Sequence, residues 1–246
     1  EIYEIEGSDA ELFIAAMVEE AMKALIPRAV WLGDTAVAAA GAALAGLTVA
    51  GNAKFYNYFD GIWKQLFAAV TAGTVQRVTI AENSLGTVEL QETLADDFAV
   101  KLFNDMWAKA DPRLRADLEA GFHVSGGIFE NYRKSLQKAG ENFTIDYTTE
   151  GFQSLKWNGK PIVNMETVWD LDLKADFVAN TTDNTYYLPN RALLTTKSNI
   201  PIGTLNENDF SELDTEYIKN TRKFYIYYGF TLDAKALEGY MSVVAY

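Results

Sequence analysis

Residues able to do chemistry are few in this chain, and they are scattered. It holds one histidine, His123, and no cysteine, which leaves no disulfide frame and no thiolate metal site. A Ser-His-acid triad would have to use His123, which stands between Phe122 and Val124 in a β-prone run, the setting of a structural or surface histidine. The nearest serine, Ser125, reads as the cap of the helix that follows. Asp170 and Asp172 in "WDLDLKAD" would share one face of a strand, a spacing that could hold a hard cation. The stretch lacks the glycine and third oxygen ligand of a calcium-binding hand, so it reads as solvated charge. The acidic run 206–216, "NENDFSELDTE", reads as an exposed loop. Asn142-Phe143-Thr144 and Asn180-Thr181-Thr182 match the glycosylation acceptor pattern, which recurs by chance. Phe224, Ile226, Tyr228 and Phe230 could stack on a sugar or base, but their alternation suits a core strand better. The sequence contains no G-x-S-x-G, H-E-x-x-H, P-loop or G-x-G-x-x-G. These residues assemble no active site, and the expectation is a protein that is not an enzyme and takes no cofactor and no metal.

The bulk composition points the same way. At 246 residues the chain can bury a sizeable core. Its net charge is −13 and it has no basic run, whereas a phosphate-binding protein needs clustered Lys and Arg. Sequence-specific nucleic-acid binding is therefore disfavoured. An acidic excess suits an abundant protein that must stay dispersed, or one that must not adhere to a polyanion. The uncharged stretch 35–53, "TAVAAAGAALAGLTVAGNA", approaches the length of a bilayer span. Ala and Gly dominate it, and Gly41, Gly46 and Gly51 interrupt it, so it reads as a connector and not as a membrane segment. The chain opens with neither a signal peptide nor Met, and its N-terminus reads as cut or truncated.

The elements that must position these residues divide into a helix-rich front and a sheet-rich back, an α+β pattern. A long helix over about 9–31 opens on an S-x-x-E box, Ser8 and Glu11, with Asp9 adding charge at the positive dipole end. Leu12, Ala15, Ala16, Met22, Leu25, Ile26 and Ala29 recur at helical spacing, Pro27 predicts a bend, and Gly33 stops the helix. A helix over 60–72, a strand over 76–80 and a helix over 88–109 follow, the last with Leu94, Phe98, Leu102 and Met106 at i, i+4. "GFHVS" predicts a strand, and Ser125 opens a helix through Ile128, Tyr132 and Leu136 that Gly140 ends. Asn158-Gly159 between β-prone runs predicts a hairpin. "KFYIYYGFTL" and "GYMSVVAY" predict strands. In "YLPNRALLTTKSNIPIGT", 192–196 should be a buried strand, with 201–203 at a turn or strand edge.

Several phrases, in order, resemble the major capsid proteins of tailed bacteriophages, the HK-ninety-seven-type fold. The helix ending "AVWLGDT" is similar to the spine helix of that family's peripheral (P) domain, and "FYNYFDGIWKQL" to the segment that follows it. "FHVSGGIFENYRKSL" and "LKWNGKPIVNM" resemble the axial (A) domain, where a strand, a helix and a G-x-P-[IV] strand come in that order. "NRALLTTKSNIPIGT" is similar to the family's N-R-a-l-l-T-x-K-x-N-l-x-i-G-T phrase. "EYIKNTRKFYIYYGFTLDAKALEGYMSVVAY" resembles the sheet that returns to the P domain.

The resemblance implies a P domain formed by 1–57 and 205–246, with the spine helix at about 9–31, and an A domain formed by 58–204. It implies a bacteriophage or prophage head protein, a virion structural subunit that self-assembles into pentamers and hexamers enclosing DNA. Such a protein resides in the host cytoplasm before assembly. Its partners would be further copies of itself, a scaffold, a portal and a maturation protease. Glu19, Glu20, Lys23 and Arg28 on the first helix are the expected subunit contacts. In this family an N-terminal arm and a two-stranded extension, the E-loop, precede the spine helix, and the expectation is that both are absent from this chain. Some members form a Lys–Asn cross-link. Asn220 matches the acceptor, but Tyr227 stands where the assisting acid would be and the E-loop lysine has no counterpart, so cross-linking is not predicted. Two alternatives stay open: a nanocompartment shell of the same fold, and a carbohydrate-active enzyme or sugar-binding module. The latter would show two carboxyls roughly 5–9 Å apart in a cleft lined by Trp or Tyr.

Overall fold

The computed structural model describes residues 7–36, 48–49, 56–138, 146–147, 153–180, 182, 185–204, 213–218, 223–228 and 231–246. The chain begins with α1 (Gly7–Leu32), β1 (Thr48–Val49), α2 (Ile62–Thr71) and β2 (Gln76–Val78). Next come α3 (Val88–Glu92), α4 (Phe98–Lys109), α5 (Pro112–Ala116), β3 (Ala120–Val124) and α6 (Gly126–Lys138). β4 (Asp146–Tyr147), β5 (Gln153–Trp157) and β6 (Lys160–Asn164) precede a π-helical turn, Glu166–Asp170, that runs into α7 (Leu171–Asp176). Five strands follow: β7 (Phe177–Asn180), β8 (Thr185–Tyr186), β9 (Ala192–Thr196), β10 (Ile202–Gly203) and β11 (Leu213–Ile218). The chain closes with β12 (Lys223–Tyr228), β13 (Asp233–Ala234) and β14 (Ser242–Ala245).

A seven-stranded mixed sheet, ordered β2-β14-β9-β3-β6-β5-β4, organises the molecule. β14 pairs antiparallel with β9 and parallel with β2, and β3 pairs antiparallel with β9 and parallel with β6. Side chains of a strand alternate between faces, and here each face meets its own core. Ala192, Leu194, Val243, Ala245, Phe122 and Val124 pack with Phe103 and Met106 of α4 and Ile128 and Tyr132 of α6. Leu193 and Val244 turn the other way, to Val30 of α1, Ile62, Trp63 and Leu66 of α2, Trp169 and Leu173. The result is three layers with the sheet in the middle. Burial on both faces explains why β9 and β14 read as unbroken apolar or small-residue runs. β14 comes from the 205–246 stretch that the resemblance assigns to the peripheral domain, yet it lies between β2 and β9.

Most expected elements are present. β9 is buried at all five positions, as expected, and Ile202–Gly203 is an exposed edge pairing with β13. The hairpin β5–β6 turns on Asn158 and Gly159, both at positive φ (48° and 78°), the conformation that favours an Asn-Gly pair. The final strand and the helices after Gly61 and Ser125 also form.

Four expectations are corrected. The helix expected over 88–109 is two, α3 and α4, because Asp97 takes a left-handed conformation (φ 58°). The α6 side chain Asn131 then holds the break, donating to the Ala95 carbonyl (2.8 Å) and accepting from the Ala99 N–H (2.9 Å). Asp111, accepting from the Arg113 N–H, opens an unforeseen short α5 with Pro112 at its first position. "WDLDLKAD" is helical and not a strand, which puts Trp169, Leu173 and Asp176 on one buried stripe and leaves Leu171 exposed. Part of the acidic run expected to be a loop is β11, paired along its length with β12. The connector at 37–47, the glycosylation pattern at 142–144, Thr181 of the second pattern and the 219–222 stretch with Asn220 lie outside the described residues, as do the side chains of Asn180 and β12.

Gly33 does follow α1, as expected, and close packing requires it there. A Cβ on Gly61 would stand 2.6 Å from Gly33 N and 2.9 Å from the Val30 carbonyl, and one on Gly33 would overlap the Phe59 carbonyl. The two glycines let α1's last turn and the chain entering α2 touch backbone to backbone, with the Gly61 N–H donating to the Gly33 carbonyl at 2.8 Å.

Candidate functional site

The first helix changes character along its length. Ile26, Val30 and Leu32 of the last two turns pack into the core. Arg28 turns back onto α7, its Nε and Nη2 donating to one oxygen of Asp172 at 2.9 and 2.6 Å. Beside it the fully buried Tyr56 donates to Asp176 Oδ2 at 2.6 Å, and the Arg28 guanidinium stands 6.0 Å from the Tyr56 ring centre. The hydrogen bond to Asp172 strengthens the proton affinity of Arg28, and burial followed by the bond to Asp176 pushes the Tyr56 hydroxyl up. Arg28 is therefore a cation and Tyr56 a neutral phenol at neutral pH. It fixes one end of the helix.

Towards the N-terminus the described side chains lose their cover. Phe13 is 63% exposed and Met17 56%, and Ala16, Glu20, Ala21 and Ala24 are exposed as well. Phe13, Met17 and Glu20 lie at i, i+4 and i+7 and share a flank. Of the four expected contact residues, Glu20 is exposed, Arg28 is engaged within the chain by Asp172, and the side chains of Glu19 and Lys23 lie outside the described residues.

The groups singled out for chemistry are separated by the fold. His123 stands half-buried in β3, its ring 6.3 Å from that of Trp31, and desolvation lowers its proton affinity, so it is neutral at physiological pH. Ser125 does stand at the start of α6, but its hydroxyl faces the Arg191 N–H (3.4 Å). The side chain that caps this helix is Asp170, whose Oδ2 accepts from the Gly126 N–H at 2.9 Å. Asp170 and Asp172 do not share a cation. Asp172 is bound to Arg28, while Asp170 is buried, with Oδ1 unpartnered, and burial pushes its carboxyl up to about 6. Among the described residues no cluster of three or more His, Asp or Glu could hold a metal, and no helix is long and apolar enough to cross a membrane.

What the phrase "PNRALLTTKSN" does instead is structural. Asn190 exchanges hydrogen bonds with Asn83 (2.8 and 3.0 Å) and donates to the Gln91 carbonyl (2.7 Å), while Gln91 donates to the Asn83 and Tyr186 carbonyls, each at 3.0 Å. Asn199 does the same at the other end of β9, donating to Ser242 Oγ and the Glu238 carbonyl and accepting from the Glu238 N–H. Buried amides tied into such a network fix one arrangement of loops around a strand. Sequence reasoning missed Asn83, Gln91 and Arg191. The only signal available was the density of polar residues flanking an apolar run.

No family model and no curated protein matches the chain. Solved structures do. Over 96% of its own length and 67% of the other chain's, it is similar to a chain of the satellite phage P4 procapsid including size determination (Sid) protein, with a TM-score of 0.54 at 11% identity. The chain folds like part of a phage procapsid. A chain of Mycobacterium phage Che8 matches over 74% of this chain and 57% of that one, with a TM-score of 0.42 at 11% identity. At such identity the procapsid likeness is one of fold, and it agrees with the mixed α+β architecture expected of the chain.

Proposed function

We propose that this chain is the shell-forming subunit of a phage or prophage head, a structural protein whose copies close into pentamers and hexamers around DNA. The observation that carries this reading is the likeness of nearly the whole chain to one in a phage procapsid. Shell proteins work by geometry, through repeated contacts between identical subunits that close on themselves. Two features of this chain suit that work: a rigid, doubly covered sheet, and a helix flank with exposed Phe13 and Met17 that a neighbouring subunit would cover. In this reading α1 and the β11–β12 hairpin belong to the peripheral part and the large sheet to the axial part. Scaffold, portal and protease are its partners, and the virion its destination. A net charge of −13 suits a container that must not adhere to the DNA it holds.

The sugar-binding alternative asks for two carboxyls in a cleft lined by Trp or Tyr, and no tryptophan stands exposed among the described residues. Trp63 and Trp169 are buried, and Trp31, Trp107 and Trp157 are half-buried. The deciding experiment expresses the full-length gene product and examines it by negative-stain electron microscopy and light scattering. Closed particles or capsomer-sized rings are expected, and nucleic acid inside them separates a phage head from a nanocompartment. A product that stays monomeric at every concentration, with scaffold supplied, would remove the proposal.

A further inference from the structure

Between α2 and the end of α1 lies a cavity of about 350 Å³, walled by Leu32, Trp63, Phe67, Phe177 and Tyr187, with Arg191 at its base. Arg191 is 2% exposed. Its Nε donates to the Leu188 carbonyl at 2.8 Å and its Nη2 to the Tyr187 carbonyl at 3.4 Å. The guanidinium stands 5.0 Å from the Trp63 ring centre, 5.5 Å from Phe67 and 5.7 Å from Tyr187. Two carbonyls and three ring faces offset part of the cost of burying this charge, but they neutralise none of it. Among the described residues no carboxylate forms an ion pair with Arg191, and Asp170 acts on it only through space.

Two other charged residues line the cavity, Asp34 and Lys64, of opposite sign. Asp34 pairs with Lys64, which also pairs with Asp60 at 2.9 Å. Burial weakens the Arg191 proton affinity only to about 10, so the group is a cation at neutral pH. A buried, unpaired cation is costly, and a guanidinium has five donors in a fork that matches a carboxylate. The cavity volume falls within the range of small-molecule pockets, about 300–1,000 Å³. One cation amid apolar walls fits one negative charge; a dianion would bring a second charge with nothing to meet it.

The geometry points to a binding site for a monocarboxylate with an apolar or aromatic body, its carboxylate on Arg191 and its body against Trp63, Phe67 and Leu32. This assignment is independent of the shell reading. Titration of the full chain with 3-phenylpropanoate and hexanoate, and with the matching amides, by isothermal calorimetry tests it. The carboxylates bind at one site, at least about tenfold tighter than the amides, a gap of about 1.4 kcal/mol. Arg191→Gln removes that preference. Ala68→Phe, on the exposed side of α2 and lining the same cavity, fills the space without altering the partners of Arg191. It abolishes binding with an unchanged circular dichroism spectrum, and decides the matter even if Arg191→Gln does not fold. Absence of saturable binding, equal binding of the amides, or full binding to Ala68→Phe overturns the assignment. Sedimentation at rising concentration, with and without 3-phenylpropanoate, separates two sources of the carboxylate. If the ligand suppresses self-association, the natural carboxylate belongs to a second copy of this chain; if it binds and association is unchanged, the site serves a free small acid.

Discussion

The sheet centre and the first helix are built to opposite rules. In β9 and β14 every side chain is buried, both faces are covered, and the polar residues at the strand ends are tied into amide networks. In α1 the last two turns are packed and ion-paired, while Phe13 and Met17 face outward. An isolated helix draws most of its stability from packing, and in this 26-residue helix the packed last two turns give way to exposed Phe13, Ala16, Met17 and Glu20. The difference teaches where stability and function reside. The sheet is packed on both faces, and in the proposed reading a neighbouring subunit covers the flank of Phe13 and Met17. Substitutions in the two regions should therefore dissociate folding from assembly.

The largest effect is expected where the sheet is densest. Phe122 is fully buried, 4.8 Å from the Phe103 ring and 5.6 Å from Trp157. Phe122→Ala should cost about 3–5 kcal/mol, the usual cost of removing a core aromatic, read as a lower urea midpoint. A loss below about 1 kcal/mol would mean that the sheet is not the stabilising centre, and the contrast with α1 would collapse.

A smaller effect, of opposite sign, is expected at Asp170. Its folded-state carboxyl titrates at about 6, above the ordinary value of 3.8, because burial disfavours the ionised form. The fold therefore binds the proton more tightly than the unfolded chain does. The contribution to stability is complete below about pH 4 and is lost as pH rises through about 6, a change of about 2–3 kcal/mol. Asp170→Asn keeps an oxygen to accept from the Gly126 N–H and removes the titration. The variant should be more stable than the parent at pH 7.5 and equal to it near pH 4, by thermal melts across that range. If the variant is instead the weaker at pH 7.5, then ionised Asp170 is the counter-charge of Arg191, and the cavity loses its unpaired cation.

Tyr56 tests the joint between the two regions. Tyr56→Phe leaves the Asp176 carboxylate, 7% exposed, without the donor now 2.6 Å away. The expected loss is about 1–2 kcal/mol, since a buried acceptor is left unsatisfied. Limited proteolysis should then cut within α1 sooner than in the sheet. Cleavage of both at one rate would show that the anchor stabilises the whole molecule and not the helix in particular.

The same contrast explains which parts of the molecule could be read from sequence. Signals carried by adjacent residues were legible: the Asn158-Gly159 turn, the apolar run of β9, and the long first helix all formed where expected. Signals that depend on distant partners were not. Leu94 and Phe98 both pack against the same core, which mimics one helix, yet Asn131 of α6 fixes a break between them. Trp169, Leu171 and Leu173 alternate like a strand, but Trp169 and Leu173 also stand four apart, and burial under α1 and α2 selects the helix. Arg191 looked like one more polar residue before a strand; only the surrounding rings and the cavity above it reveal an unpaired charge. The exposure of Phe13 and Met17 was equally hidden, because an apolar residue at helical spacing reads as core.

The smallest effect on stability, and the sharpest on the proposed function, belongs to those two residues. Phe13 and Met17 keep more than half of their surface exposed, so Phe13→Ser with Met17→Ser should change unfolding free energy by no more than about 1 kcal/mol. In a shell, a neighbour would cover this flank, and covering two large apolar side chains is worth about 1.5–3 kcal/mol each. Because the contact recurs at every subunit, the loss is multiplied through the particle. The double variant should melt with the parent yet yield no particles in the assembly assay, with the monomer accumulating in their place. Particles in normal yield would make the exposed flank incidental and move the subunit contact elsewhere. A variant that fails to assemble because it has unfolded would show that α1 packs into its own chain along its full length, which would erase the division between a sheet that folds and a helix that joins.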